Sequence, residues 1–201
     1  MIRNIIFDIG NVLVDWDWPA YLDRLFGNAD ITAFLTKRYW QSGLWQEMDR
    51  GSISQETIHR ELLENAEPYR EEMELAYQRM GECISLFDYT NGWITELKNK
   101  GYGVYFLSNY SDYLIDKNPE ALTFTKLMDG GIFSCHVKLV KPDLVIYDTL
   151  CKCYDLDPAE CLFIDDKLIN VIAAKEYGMH AIRFSDYAKT KPIVDSYLET
   201  H

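Results

Sequence analysis

The 201-residue sequence is poor in positive charge, with 20 Lys and Arg against 32 Asp and Glu and a formal net charge of −12. A protein of this sign repels polyanions, so nucleic acid is not an expected partner. If the protein binds a small anion, a metal ion or a well-placed lysine must supply the local positive charge.

Long apolar runs are also missing. No stretch of about eighteen apolar residues occurs, so no membrane-spanning segment and no membrane partner are expected. The apolar run before Asp8 is shorter than the apolar stretch of a secretory signal peptide. The cytoplasm is therefore the expected location.

The cysteines suggest neither a disulfide framework nor a metal motif. There are five, an odd number, and no two have the C-x-x-C spacing of a zinc or redox site. The closest pair, Cys151 and Cys153, is interpreted as two reduced thiols on a helix. Apolar residues make up 48% of the chain, which is enough to bury a core without cross-links.

Short apolar runs alternate with helical patterns along most of the chain. Strands that are apolar throughout and are separated by helices are typical of a doubly wound, Rossmann-like parallel sheet with helices on both faces, so the predicted fold class is α/β. The predicted strands are residues 5–7, 104–107, 161–164 and 180–184, and the helices between them are 93–99, 144–153 and 168–177.

One stretch breaks this alternation. Between residues 18 and 85 no strand is expected, and the predicted helices are 20–26, 31–39, 54–65 and 69–80, with Ser54 as an N-cap. A helical insert of this size predicts a separate cap domain at residues 18–85. The Rossmann-like core would then consist of residues 1–17 and 86–201.

Polar residues follow the predicted strands or precede a helix at four places: Asp8, Ser108 with Asn109, Lys141, and Asp165 with Asp166. Ligands bind beyond the carboxyl ends of parallel strands, so these side chains are expected to converge. Oxygen ligands of this kind suit Mg²⁺, and a compact ammonium suits a place where several anions meet.

The same four places resemble the four motifs of the haloacid dehalogenase superfamily, in their order along the chain. The resemblance spans the whole chain, including a helical cap inserted after the first motif, and it implies a Mg²⁺-dependent phosphohydrolase. The residues that carry it are Phe7-Asp8-Ile9-Gly10-Asn11-Val12, Leu107-Ser108-Asn109, Lys141-Pro142-Asp143, and Phe163 to Asn170 with Asp165-Asp166.

The resemblance also implies a role for each motif. Asp8 would attack a phosphate ester and form an aspartyl-phosphate, which divides a difficult hydrolysis into two easier steps. Lys141 would pair with both the nucleophile and the phosphate. Phosphate oxygens would be bound by Ser108 and Asn109, and Asn170 would orient the loop of the fourth motif. Mg²⁺ would be held by Asp8, the main-chain carbonyl of Gly10, Asp166, and Asp165 directly or through water.

Gly10 departs from the pattern of most phosphatases in this family, which have a second Asp there as general acid and base. Loss of such a group lowers a rate by about 10²–10⁴-fold. The first motif, with Asp15-Trp16-Asp17 after it, resembles a branch that includes bacterial sugar-phosphate phosphatases, among them those acting on α-D-glucose-1-phosphate. In that branch glycine is usual, which implies that activity survives. Asn11, Asp15 and Asp17 are interpreted either as partial substitutes for the missing acid or as turn and hinge residues.

Two other interpretations stay open. A dehalogenase would attack carbon without a metal, with Arg38 on the halide side, although the adjacent Asp165 and Asp166 are better explained by a cation. A catalytically weak, phosphate-binding protein would act through a partner instead. The expected ligand is a small phosphorylated metabolite, with sugar phosphates first, and neither its identity nor the oligomeric state is predicted.

Aromatic residues are frequent in and just before the predicted cap. They are interpreted as either the cap core or a lining for the substrate, because aromatic faces pack against sugars and other partly apolar ligands. These residues are Trp16, Trp18, Tyr39, Trp40 and Trp45.

Overall fold

The protein is described by a computed structural model that covers residues 1–201. Five parallel strands form the main sheet in the order β5-β4-β1-β6-β7, and β2 and β3 pair antiparallel in a second sheet. The strands are β1 Asn4–Phe7, β2 Val14–Trp16, β3 Ile84–Leu86, β4 Gly103–Ser108, β5 Gly130–Phe133, β6 Cys161–Asp165 and β7 His180–Arg183.

Helices fill most of the remaining chain, and none combines the length and apolar character needed to cross a membrane. The α-helices are α1 Trp18–Phe26, α2 Ala29–Leu35, α3 Gly43–Arg50, α4 Gln55–Glu64, α5 Arg70–Gln78, α6 Thr90–Asn99, α7 Asp112–Lys117, α8 Ser134–Val137, α9 Leu144–Tyr154, α10 Leu168–Tyr177 and α11 Tyr187–Thr200. A π-helical turn, Thr36–Trp40, continues α2, and 3-10 helices span Met80–Cys83, Pro119–Leu127 and Pro158–Glu160.

The main sheet is covered on both faces, which confirms the predicted α/β class. Successive side chains of a strand point to opposite faces, so Phe7 packs with Trp93 of α6 on one side while Ile6 faces α9 and α10 on the other. Phe7 and Trp93 meet edge to face, with ring centroids 4.8 Å apart. Strands buried on both faces must be apolar throughout, which explains the short apolar runs of the sequence.

Three strands were absent from the sequence prediction. The edge strand β5 begins with Gly130 and Gly131, which resemble turn residues, yet a Cβ on either would lie 2.3 Å from the ring of Tyr154 or Phe106. The glycines are there because aromatic rings cover the strand. Strands β2 and β3 have three residues each, too few to show a pattern, and β3 makes the expectation of no strand up to residue 85 wrong at its last two positions.

The chain between β2 and β3 is helical, as predicted, although α3 was not foreseen. The predicted cap of α4 is confirmed, because the Ser54 hydroxyl accepts a hydrogen bond from the Thr57 N–H at 3.2 Å. Pairing of β2 with β3 brings the two ends of this helical segment together beside the main sheet. We infer that this pair is the junction of core and cap, and the exact boundaries at 18 and 85 stay a prediction.

A matched pair of substitutions tests the packing of the sheet face. Ile146 on α9 is fully buried, whereas Ile172 on α10 is 55% exposed. We expect Ile146→Ala to lower the free energy of unfolding by about 2–5 kcal/mol, because it leaves a cavity. Ile172→Ala should change it by less than about 0.5 kcal/mol. Urea denaturation measures both, and equal effects would contradict this packing.

Candidate active site

The predicted polar residues converge at one edge of the main sheet. Strand β1 lies between β4 and β6, and Phe7 is in register with Phe106 of the first and Ile164 of the second. The next residue of each strand, Asp8, Leu107 or Asp165, therefore lies at the same level. Since the chain runs to β4 on one side of β1 and to β6 on the other, this edge is a topological switch point, where ligands bind in α/β proteins.

Lys141 binds two carboxylates in the interior. Its Nζ atom lies 2.8 Å from Oδ1 of Asp8 and 2.7 Å from Oδ2 of Asp165, and the three side chains are 1%, 9% and 0% exposed. Burial by itself would lower the pKa of Lys141, but the charges of Asp165 and Asp8 raise it above its usual value. The lysine is therefore a permanent cation beneath the carboxyl end of β1.

Asp165 is held by hydrogen bonds on both of its oxygens. Besides Lys141, the main-chain N–H of Lys167 donates to Oδ1 at 2.8 Å. The Asn170 side chain lies 3.1 and 3.0 Å from Oδ1 and Oδ2, and the Tyr147 hydroxyl donates to the Asn170 carbonyl at 3.0 Å. The sequence predicted that Asn170 orients this loop, and its amide does bind the loop's buried carboxylate.

Asp166 has the opposite surroundings. Its Oδ1 is buried and has no hydrogen-bond partner, and its Oδ2 accepts only a long bond of 3.5 Å from the Asn11 amide. Carboxylate oxygens of Asp8, Asp165 and Asp166 all lie within 4.8 Å of one another. An unpartnered carboxylate oxygen beside two other acids fits a hard divalent cation, which is the group that would satisfy it.

The electrostatics of the cluster also favour a bound cation. Burial raises the pKa of Asp8 to about 6, and Asp165 and Asp166 act in the same direction while Lys141 opposes them. Burial, followed by the charge of Asp165, also raises the pKa of Asp166. Three carboxylates against one ammonium leave an excess of negative charge, which a divalent ion would neutralise.

The second motif provides a support that the sequence did not predict. Asn109 donates its amide to the Lys141 carbonyl at 3.0 Å and accepts the Lys141 N–H at 2.8 Å. The Asn109 side chain thus fixes the main chain from which Lys141 projects. One amide hydrogen stays free, so the predicted contact of Asn109 with phosphate is still open to it. Ser108 ends β4 and is buried next to it.

Two sets of sequence candidates make no contact with the carboxylate cluster in the hydrogen bonds and ion pairs described above. Arg38, the residue suggested for a dehalogenase, is exposed, and its guanidinium lies 5.6 Å from the centroid of the Phe34 ring. The aromatic residues in and just before the predicted cap pack largely on one another, with Trp18 stacked on Trp40 at a centroid distance of 4.6 Å and Trp16 5.3 Å from Trp45. Tyr39 is fully buried and the four tryptophans are half-buried.

One acid near the site was not singled out from the sequence. Asp49 lies near the end of α3, its side chain is buried, and its Oδ1 has no hydrogen-bond partner. Burial raises the pKa of Asp49, and the charges of Lys167, Asp8 and Lys141 also act on it. Nothing in the local sequence marks Asp49, because acids are common on helices and the contact depends on how α3 packs.

A doubly wound sheet whose central strand ends in an acid, with a paired lysine and two further acids beside it, places the protein among the hydrolases of the α/β class. The chain belongs to the haloacid dehalogenase-like hydrolases, whose family model matches residues 2–178.

Characterised relatives are similar over nearly the whole chain. A sesquiterpene phosphatase of Aspergillus oryzae is 28% identical over 188 residues, which cover 94% of this chain and 92% of the relative. A D-ribitol-5-phosphate phosphatase of Bacteroides thetaiotaomicron is 30% identical over 195 residues, covering 91% and 92%.

Solved structures show the same fold. A HAD family enzyme from Bacteroides thetaiotaomicron, in complex with magnesium and inorganic phosphate, superposes with a TM-score of 0.72 at 21% identity. The match covers 94% of this chain and 99% of that one.

The Lys141 ion pairs make a prediction about stability. Lys141→Met would leave Asp8 and Asp165 buried without their cation, so we expect the free energy of unfolding of the metal-free protein to fall by about 3–5 kcal/mol. Lys141→Met/Asp8→Asn should recover part of this loss, because one buried charge is removed. Urea unfolding measures both variants, and an unchanged midpoint for Lys141→Met would contradict the arrangement.

Proposed function

We propose that the protein is a Mg²⁺-dependent phosphomonoester hydrolase that acts on a small phosphorylated metabolite through an aspartyl-phosphate on Asp8. The observation that carries the proposal is the cluster of Asp8, Asp165 and Asp166. One oxygen of Asp166 has no hydrogen-bond partner, and Lys141 binds the other two acids. Two relatives named as phosphatases support it.

Asp8 is placed to act as the nucleophile. Its Oδ1 is held by Lys141 and by the Ile9 N–H at 2.7 Å, which sets the orientation of the carboxylate at the end of a rigid central strand. A carboxylate group oriented in this way can attack phosphorus in line with the ester bond, and the phosphoryl group passes to Asp8. Water then releases it as inorganic phosphate.

Charge neutralisation is divided between the protein and the metal. Asp8, the Gly10 carbonyl and Asp166 would hold Mg²⁺, which supplies positive charge to the oxygens of the transferring phosphoryl group. Both oxygens of Asp165 are already hydrogen-bonded, so Asp165 would act through water and through its hold on Lys141. Lys141 and the side chains of Ser108 and Asn109 would bind the remaining phosphate oxygens.

The aromatic cluster and the names of two relatives support a choice of substrates to test. Trp16 at the end of β2 and the half-buried Trp18, Trp40 and Trp45 of the helical segment form one aromatic cluster. Aromatic faces pack against sugars and other partly apolar groups. The relatives' names include a ribitol phosphate and a sesquiterpene, so both polyol phosphates and terpenyl phosphates belong in a substrate screen beside sugar phosphates.

Activity with and without the nucleophile tests the proposal. We expect phosphate release from at least one member of a panel of phosphorylated metabolites, and we expect Asp8→Asn to lower it by more than about 10³-fold. Asp148→Asn on the surface of α9 is the matched control and should retain the wild-type rate. Turnover that survives Asp8→Asn, or no turnover on any substrate, would overturn the proposal; the latter would favour a phosphate-binding role.

Metal affinity gives a test without turnover. We expect Asp166→Ala to weaken Mg²⁺ binding by more than about tenfold, because it removes the carboxylate of the Asp8, Asp165 and Asp166 cluster whose buried oxygen has no hydrogen-bond partner. Isothermal titration calorimetry with MgCl₂ measures this. Equal affinity of the wild type and the variant would place the ion elsewhere.

A further inference from the structure

Position 10 provides no side chain that could donate a proton in the proposed reaction. Gly10 has no side chain, and a Cβ built there would meet no atom within 4 Å, so the space that a side chain would occupy is open. An alkoxide is a poor leaving group, and water is a poor nucleophile toward an aspartyl-phosphate, unless a nearby group donates and accepts a proton. The acid must come from another part of the chain.

Asp49 lies at the end of α3, and two contacts hold that end against the loops that follow β4 and precede α9. Its main-chain carbonyl accepts a hydrogen bond from the Ser134 hydroxyl, whose oxygen accepts the Tyr110 N–H at 2.9 Å, directly after Asn109. On the next residue, Nη1 of Arg50 lies 3.9 Å from Oδ2 of Asp143, two residues after Lys141. The end of α3 is thus attached to the loops of the second and third motifs.

The Asp49 carboxyl group is buried without a cationic partner. It is in no ion pair, and its Oδ1 has neither water exposure nor a hydrogen-bond partner. Burial raises its pKa to about 7, while Lys167 and Trp45 oppose this shift, Asp8 adds to it and Lys141 opposes it. A carboxyl group that exchanges a proton near neutral pH is what general acid-base catalysis requires.

We propose that Asp49 is the general acid and base of the reaction, supplied by the cap in place of a side chain at position 10. This inference rests on the proposed function. While the bond between Asp8 and phosphorus forms and the ester P–O bond breaks, protonated Asp49 gives its proton to the departing ester oxygen. The resulting carboxylate then takes a proton from water as the water oxygen bonds to phosphorus and the Asp8–phosphorus bond breaks. Asp49 is protonated again, and the products are an alcohol and inorganic phosphate.

The proton donor is then present only while α3 is packed on the core. Water is excluded from the reacting phosphate by the same packing. A haloacid dehalogenase-like core with glycine at this position would thus depend on its cap for chemistry as well as for selecting the substrate.

Two substrates and a rescue variant test the inference. Phenyl phosphate has a basic leaving group that needs a proton, whereas 2,4-dinitrophenyl phosphate has one that departs unaided. We expect Asp49→Asn to lower kcat/KM by about 10²–10⁴-fold on the first and by less than about tenfold on the second. The double variant Asp49→Asn/Gly10→Asp should recover activity on phenyl phosphate, because the open space at residue 10 accepts a side chain.

Controls separate catalysis from folding and from the proposed function. Glu47→Gln on the same helix should behave as the wild type, and calorimetry should show unchanged Mg²⁺ affinity for Asp49→Asn. If Asp49→Asn fails to fold, Asp49→Ser takes its place in the same assays. Equal losses on both substrates, or no recovery with Gly10→Asp, would overturn the role of Asp49 while Asp8-dependent turnover stands. Absence of Asp8-dependent turnover in the wild type would overturn the proposed function and this inference with it.

Discussion

Lys141 joins two aspartates that are far apart in the chain and adjacent in the sheet. Removing a carboxylate from water is unfavourable unless a cation and hydrogen bonds compensate, and Lys141 compensates Asp8 and Asp165 at once. The compensation works only if β1 and β6 are neighbours with the observed register. The site thus depends on the order and register of the strands. In turn, the two buried carboxylates at the carboxyl edge of the sheet depend on the Lys141 ammonium for their stability.

The supports around Lys141 divide the cluster into two parts. Asn109 fixes the Lys141 main chain, and Asn170 with the Lys167 N–H fixes Asp165, so this half of the site is saturated with hydrogen bonds. Asp166 keeps an unpartnered oxygen on the other side. A rigid half that orients the nucleophile and an unsaturated half that receives a cation are what phosphoryl transfer requires, since that reaction depends on positioning and electrostatics.

Sequence reasoning was successful where local pattern and chemistry coincide. Apolar runs ending in acids predicted β1 and β6, and the rule that ligands bind beyond the carboxyl ends of parallel strands predicted that Asp8 and Asp165 converge. It failed where long-range packing decides: the glycines of β5 are explained only by the rings of Tyr154 and Phe106, and the position of Asp49 only by the docking of α3. The two hydrogen bonds from the Asn109 side chain to the Lys141 main chain were not predicted either, because an asparagine can equally bind phosphate or support the main chain.

The most direct test of this account is the position of the metal. Crystals grown with Mn²⁺ in place of Mg²⁺ would reveal the ion by its anomalous scattering. The account predicts one ion bound by oxygens of Asp8 and Asp166, with Lys141 still bound to Asp8 and Asp165 on the opposite side. An ion located away from Asp166, or a Lys141 side chain displaced from Asp8 when the ion binds, would contradict it.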